Sequence, residues 1–276
     1  MPGRNGLALP LSLWLGGGVA CVLVIAIVVS WVWSPYDPEA LDLSAALQAP
    51  NFLHWLGTDQ LGRDVASLLL VGAQSSVQVA LIAVGIGVFI GVPLGLAAAA
   101  LRGWPDEILM RTNDIVFAFP ALILAILLAA IWGPGAANAA IAIGVFNVPV
   151  FARVTRGGAL MLWTREFVMA ARAAGKNEAR ISAEHILPNL IDPLIVQIAI
   201  QFSLGILAES ALSYVGLGVQ APTPSWGRML AESQTYAFIA PWLAIAPAAA
   251  LIVTVLGLNL LGEGLRDVAN HRERRL

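Results

Sequence analysis

Chemistry in a chain needs particular side chains at particular spacings, and this sequence of 276 residues offers few of either. The three histidines, His54, His185 and His271, lie far apart, with no His-Glu-x-x-His helix and no cysteine pair among them. His54 could meet a metal such as nickel at one membrane face, but a structural role is the simpler reading. Cys21, the single cysteine, sits in an apolar run and cannot form an intramolecular disulfide. The single lysine, Lys176, is followed by Asn177, and Ala170 stands where a phosphate-binding loop requires its first glycine. The chain therefore has no P-loop, and any ATP chemistry belongs to a partner. Glu209 is the one acid well inside an apolar stretch, with Ser213 one helical turn beyond it. Acids in such places face a bundle interior or a water-filled path. Glu209 reads as a pathway or gate residue, or as the acceptor of a hydrogen bond from Ser213.

The composition explains this scarcity. The chain is 59% hydrophobic and 12% charged, with a mean hydropathy of +0.81. Soluble domains run at about 45–50% apolar and about 25% charged residues. The solvent for this surface is therefore lipid, and nothing in the charge pattern points to nucleic acid. Helices alone satisfy every backbone group of a single segment inside a bilayer. The expected fold class is all-α, a polytopic membrane protein of about six spans.

A span needs about 20 mostly apolar residues. The candidates are Leu11–Trp33, Val77–Leu101, Ile115–Trp132, Ala136–Phe151, Leu194–Val215 and Phe238–Leu261. The first is too long for a cleavable signal and ends in interfacial aromatics, Trp31 and Trp33. The third and fourth share the tight Gly133-Pro134-Gly135 turn and read as a hairpin. Thirteen of the 15 Lys and Arg residues fall on one side of this arrangement, leaving only Arg63 and Arg228 on the other. The positive-inside rule then makes both termini cytoplasmic. The expected organisation is a first span with an outer loop (1–74), a transmembrane domain (75–264) and a cytoplasmic tail (265–276).

Gly87, Gly91 and Gly95 recur every four residues on the second span, a stripe that lets another helix approach closely, within the subunit or across a subunit pair. Asp59, Arg63 and Asp64 suggest a salt-bridged cap on the outer loop, and Pro222, Pro224 and Trp226 a rigid outer turn.

The longest cytoplasmic stretch, 152–190, holds two short helices. Thr164 is a plausible N-cap for a helix through Ala174, with Phe167, Val168, Ala171 and Ala174 on one face. Gly175 ends or kinks that helix, Asn177 caps a second one running to His185, and Pro188 breaks it before the next span. Chemistry alone leaves two readings open: a helix lying on the bilayer, or a projection that docks into a protein groove. The weak, alanine-dominated apolar face suits close approach to protein better than burial in lipid.

This loop resembles the "EAA" motif of binding-protein-dependent ABC importer permeases. The matching residues are Ala170, Ala171, Gly175, Leu187 and Pro188, while Met169 stands where the motif's glutamate usually does. Glu166-Phe167-Val168 through His185-Ile186-Leu187-Pro188-Asn189 is similar to the dipeptide, oligopeptide and nickel branch. So are His54–Ser76, Ala208–Leu230 and Thr254–Asp267, in the same order along the chain. The length and short N-terminus resemble that branch's second, dipeptide "C-type", permease subunit.

The resemblance implies a type I importer permease in the bacterial inner membrane, not an enzyme. It implies a second homologous permease subunit, two ATPase subunits that bind ATP and Mg, a substrate-binding protein outside, and membrane lipid around the whole. This chain itself binds no cofactor. Glu166, Ala170, Ala171, Gly175, His185, Leu187 and Pro188 become the expected ATPase-coupling residues. Peptides are the expected cargo, with nickel complexes, glutathione and oligosaccharides as alternatives. An ion-coupled secondary transporter would show inverted repeats and mid-membrane polar groups, and an intramembrane enzyme would show paired catalytic groups. The sequence displays neither.

Overall fold

The computed structural model describes residues 10–273, with side chains to residue 269. Arg4, Arg274 and Arg275, and the side chains of His271 and Arg272, lie outside the described residues. Among the described residues regular structure is helical, apart from one isolated bridge between Thr58 and Asp64. Helix α1 spans Leu11–Val32. Helix α2 (Val65–Ile86) passes through a π-helical turn, Gly87–Gly91, into α3 (Val92–Leu101). Then come α4 (Trp104–Ala118), α5 (Ala121–Trp132), α6 (Ala136–Leu162) and the short α7 (Glu166–Ala173). Helix α8 (Glu178–Ile181) leads through a π turn and a 3₁₀ turn into α9 (Ile191–Tyr214). Helix α10 (Trp226–Ser233) and α11 (Trp242–Glu273) complete the chain. Five of these paths are long and apolar enough to cross a membrane, and the bent pair α4–α5 makes a sixth.

The second to fifth spans each differ from the sequence expectation for a physical reason, and the sixth, expected at Phe238–Leu261, is the helix Trp242–Glu273. The second span begins at Val65, not Val77, because the Asp64 carboxylate caps it by accepting from Ser67 N–H (2.8 Å). Its first turns carry Gly72, Gln74, Ser75 and Ser76, which dilute the hydropathy signal. The third span is bent by 80° between Ala118 and Ala121. There Pro120 holds the preceding Phe119 in an extended conformation (φ −86°, ψ 119°). Helix α5 alone has 12 residues, roughly 18 Å at 1.5 Å per residue, too short for a bilayer.

The fourth span runs to Leu162 rather than Phe151 because its charges find partners. Arg156 forks onto both Asp106 oxygens of α4 (2.6 Å each), and Arg153 reaches Asp114 (2.7 Å). Pro188, expected to break the chain, does not. It sits in the 3₁₀ turn Leu187–Leu190, directly after the π turn Ser182–Ile186, and this local change of pitch accommodates a residue without an N–H. Glu178–Tyr214 is consequently one helical path of 37 residues.

Small residues set the packing. An added Cβ at Gly87 would lie 2.6 Å from Asn147 Cβ, and at Gly91 2.5 Å from Val148 O. At Gly95 it would collide with Ala152 O. The glycine stripe therefore seats α2–α3 against α6 of the same subunit. Gly16, Gly257 and Gly264 do the same for α1 and α11. Inside the bundle, Gln201 on α9 donates to Asn147 Oδ1 on α6 (2.8 Å), which fastens these two spans with a buried polar bond.

Candidate functional site

The loop expected to dock a partner is an elbow made of α7 and α8. Thr164 does not cap α7. Its hydroxyl donates to Met161 O (2.8 Å) and closes α6, while Arg165 occupies the N-cap position. The far end of α7 forms a Schellman motif: Lys176 N–H donates to Ala171 O and Gly175 N–H to Arg172 O (2.9 Å). Gly175 takes φ +80°, the left-handed conformation that this motif demands and that a side chain disfavours. Asn177 then caps α8 by accepting from Arg180 N–H (2.9 Å). Local sequence thus builds a bend of fixed geometry.

The expected coupling residues divide into two sets. Val168 and Ala171 are buried in a cluster with Phe151, Ala159, Trp163, Ile181 and Ile186, so this side of α7 is seated on the chain's own bundle. Glu166, Ala170 and Gly175 are exposed, as are Met169, Arg172 and Ala174. His185 and Leu187 are half-buried, and Pro188 is exposed on the following helix. The surface free to meet a partner is the outward side of α7 and the bend, and Ala171 belongs to the seat rather than to that surface.

Charged side chains fasten the elbow. Lys176 Nζ donates to Glu184 Oε2 (2.6 Å) and lies 2.8 Å from His185 Nε2. Arg180 Nε donates to Glu184 Oε1 (2.6 Å), and Arg172 on α7 to Glu178 on α8 (2.9 Å). The Phe167 and His185 rings stand 6.4 Å apart. Lys176 and Glu184 went unremarked in the sequence as a pair, because residues eight apart share a helix face only if the chain between them is continuous helix, and here it is not.

At the opposite end of α9, Glu209 is fully buried. Ser213 Oγ donates to its carboxylate (2.6 Å), as the sequence spacing suggested, and Ser210 Oγ lies 3.4 Å away. Ser76 on α2 and Ser225 beside α10 stand next to this carboxylate. Those two hydroxyls accept from Trp226 N–H and Arg228 N–H respectively, which leaves their protons available to Glu209. Trp226 Nε1 donates to Leu69 O (3.0 Å). Glu209 is thus enclosed between α9, α2 and the segment leading into α10.

The nearby charges split into separate tasks. Asp64 caps α2 and meets His54 Nδ1 (2.9 Å). Asp59 binds Arg63 (2.6 Å), and Arg63 reaches across to Glu232 of α10 (3.3 Å). No group of three metal-ligating side chains occurs among the described residues. An apolar groove of about 1040 Å³ runs between α1, α2 and α11, lined by Trp14, Leu23, Leu69 and Trp242. It carries no charged side chain and suits no zwitterionic cargo.

A spanning bundle with a prebuilt elbow at one end and a sealed polar knot at the other has counterparts among known proteins. Residues 91–275 match the family described as the binding-protein-dependent transport system inner membrane component. The chain belongs to this family. It is similar to the glutathione transport system permease protein GsiD of Pectobacterium atrosepticum, 41% identical over 258 residues that cover 92% of this chain and 85% of that one. It is likewise 43% identical over 250 residues to GsiD of Escherichia coli O6:K15:H31, covering 90% and 82%. Its fold is similar to a chain of the MetNI methionine ABC transporter in an inward-facing conformation. That match has a TM-score of 0.60 at 19% identity, over 73% of this chain and 96% of that one.

The chain is accordingly an inner-membrane, multi-pass permease component of an ABC importer and not an enzyme. Such a component works with a partner permease, an ATPase and a substrate-binding protein. The family match begins within the π turn after α2, whereas the similarity to the GsiD proteins reaches 90% or more of the chain.

Proposed function

We propose that this permease subunit translocates small peptides, and that α7 is the helix through which the partner ATPases drive it. The observation that carries the reading is the elbow itself. Its bend is fixed by a Schellman motif, its inner side is buried on the bundle, and its second helix continues through a π turn and a 3₁₀ turn into α9. A push on α7 therefore meets a continuous helical path rather than a loop. The α7 end faces the cytoplasm in this reading, in keeping with the distribution of Lys and Arg, and both termini lie there too. Two ATPase subunits bind ATP and Mg, one beneath this subunit and one beneath a second homologous permease. A substrate-binding protein delivers cargo at the α10 end.

For the cargo, the names of the GsiD relatives favour glutathione, itself a tripeptide, within the broader peptide class. The test is uptake of labelled glutathione and of dipeptides by vesicles holding the complex purified through a C-terminal tag on this chain. ATP-dependent accumulation that needs a co-purified ATPase and a binding protein supports the reading. Uptake that follows an ion gradient without ATP overturns it in favour of a secondary transporter. The docking surface has its own test: Ala170→Glu, on the exposed side, should stop uptake while the complex's permease subunits stay folded.

A further inference from the structure

Lys176 lies just past the bend, outside both short helices, yet its ammonium reaches back onto the π turn. It donates to Glu184 Oε2 at 2.6 Å and meets His185 Nε2 at 2.8 Å. Its backbone N–H meanwhile completes the Schellman motif by donating to Ala171 O. One residue therefore closes the C-terminus of α7 with its main chain and holds the long helical path with its side chain. Glu184 is held from its other oxygen by Arg180 (2.6 Å), which fixes the acceptor. Phe167 of α7 stands against the same His185 ring.

The position of this link matters because of what lies beyond it. The π turn Ser182–Ile186 and the 3₁₀ turn Leu187–Leu190 are the irregular stretch of the path from Glu178 to Tyr214. Ser182 Oγ is buried there without a hydrogen-bond partner. π turns and 3₁₀ turns are where helices bend most readily. A force on α7 that entered only through the 174–177 turn would be dissipated by closing or opening the elbow. With Lys176 tied to Glu184 and His185, the elbow angle is fixed, and the force reaches the π turn directly.

We propose that Lys176 is a positioning residue that locks α7 to the π turn of the fifth span, so that movement of α7 is transmitted to the membrane instead of being absorbed at the bend. This rests on the reading of α7 as the ATPase-driven helix. Exposed ion pairs contribute about 0–1 kcal/mol to stability, so the lock governs geometry under load rather than folding.

The experiment uses the full complex in vesicles, with ATP hydrolysis and uptake measured together. Lys176→Met should assemble with its ATPases and hydrolyse ATP at close to the wild-type rate. Uptake per ATP should fall by about tenfold. Lys176→Arg, which can still reach Glu184, should restore most of it, and Lys176→Glu, which repels Glu184, should be at least as poor as Lys176→Met. Unchanged uptake per ATP in Lys176→Met overturns the proposal. So does loss of the ATPases from the purified complex, because Lys176 would then belong to the docking surface. Failure of the wild-type complex to couple ATP hydrolysis to uptake is a different outcome, one that removes the functional reading itself.

Discussion

The two ends of the fifth span are fastened by opposite means. At the α10 end, Ser213 donates to the buried Glu209 carboxylate, and Trp226 donates from its main chain to Ser76 and from its indole to Leu69 O, joining α10 to α2. At the α7 end, Lys176, Glu184, Arg172, Glu178 and Arg180 form ion pairs in which every partner is 28% exposed or more. A buried polar group left unpaired costs roughly 1–3 kcal/mol, whereas an exposed pair contributes about 0–1 kcal/mol. The first end is built to stay as it is. The second holds its shape with exposed pairs, each of small energy.

Substitutions at the two ends can break or sharpen this contrast. Glu209→Ala has the largest expected effect. It leaves the Ser213 hydroxyl without its acceptor in a buried site and opens a cavity, destabilising the subunit by roughly 3–5 kcal/mol, read as a lower unfolding temperature in detergent. If Glu209→Ala is as stable as wild type, the sealed end is not the rigid one. Gly175→Pro comes next, since proline cannot adopt φ +80° and removes the N–H that bonds Arg172 O. A local cost of about 3 kcal/mol should abolish uptake with membrane insertion intact, measured by uptake against the amount of protein in the membrane.

Trp226→Phe removes one buried bond, to Leu69 O, and should lower stability by about 1 kcal/mol, measured in the same unfolding assay. Arg172→Ala should be the mildest, shifting stability by less than about 1 kcal/mol. A shift in Arg172→Ala as large as that in Trp226→Phe would erase the contrast between the ends.

Ala170 and Ala171 show how finely the elbow divides. They are neighbours in one motif, yet Ala170 faces outward while Ala171 is packed with Phe151 and Ile186. A charge at Ala171 should therefore unseat α7 from its own bundle, so its effect on uptake would not report docking by itself. Neighbouring residues on a short helix point about 100° apart, but which side is the inner one depends on where the bundle lies.

The legible part of this protein was the part carried by local chemistry. Apolar composition fixed the solvent as lipid, and runs of about 20 apolar residues marked most of the spans. Gly133-Pro134-Gly135 joined α5 to α6, Gly175 set the bend and Asn177 capped α8, since each acts within a few residues of itself. Ser213 met Glu209 for the same reason, being one turn away.

Tertiary structure decided whatever depended on residues distant in the chain. Arg153 and Arg156 looked like the end of a span until Asp114 and Asp106 of α4 neutralised them and let α6 continue. The glycine stripe could have faced a second subunit, and only the position of Asn147, Val148 and Ala152 shows that it faces α6. Ser213 is legible beside Glu209, but only packing brings Ser76 of α2 and Ser225 before α10 to the same carboxylate. Sequence specifies propensities and charges, which are properties of single residues and their near neighbours. Whether a charge is paired, a glycine contacted or an acid sealed is a property of pairs, and those pairs exist only once the chain has packed.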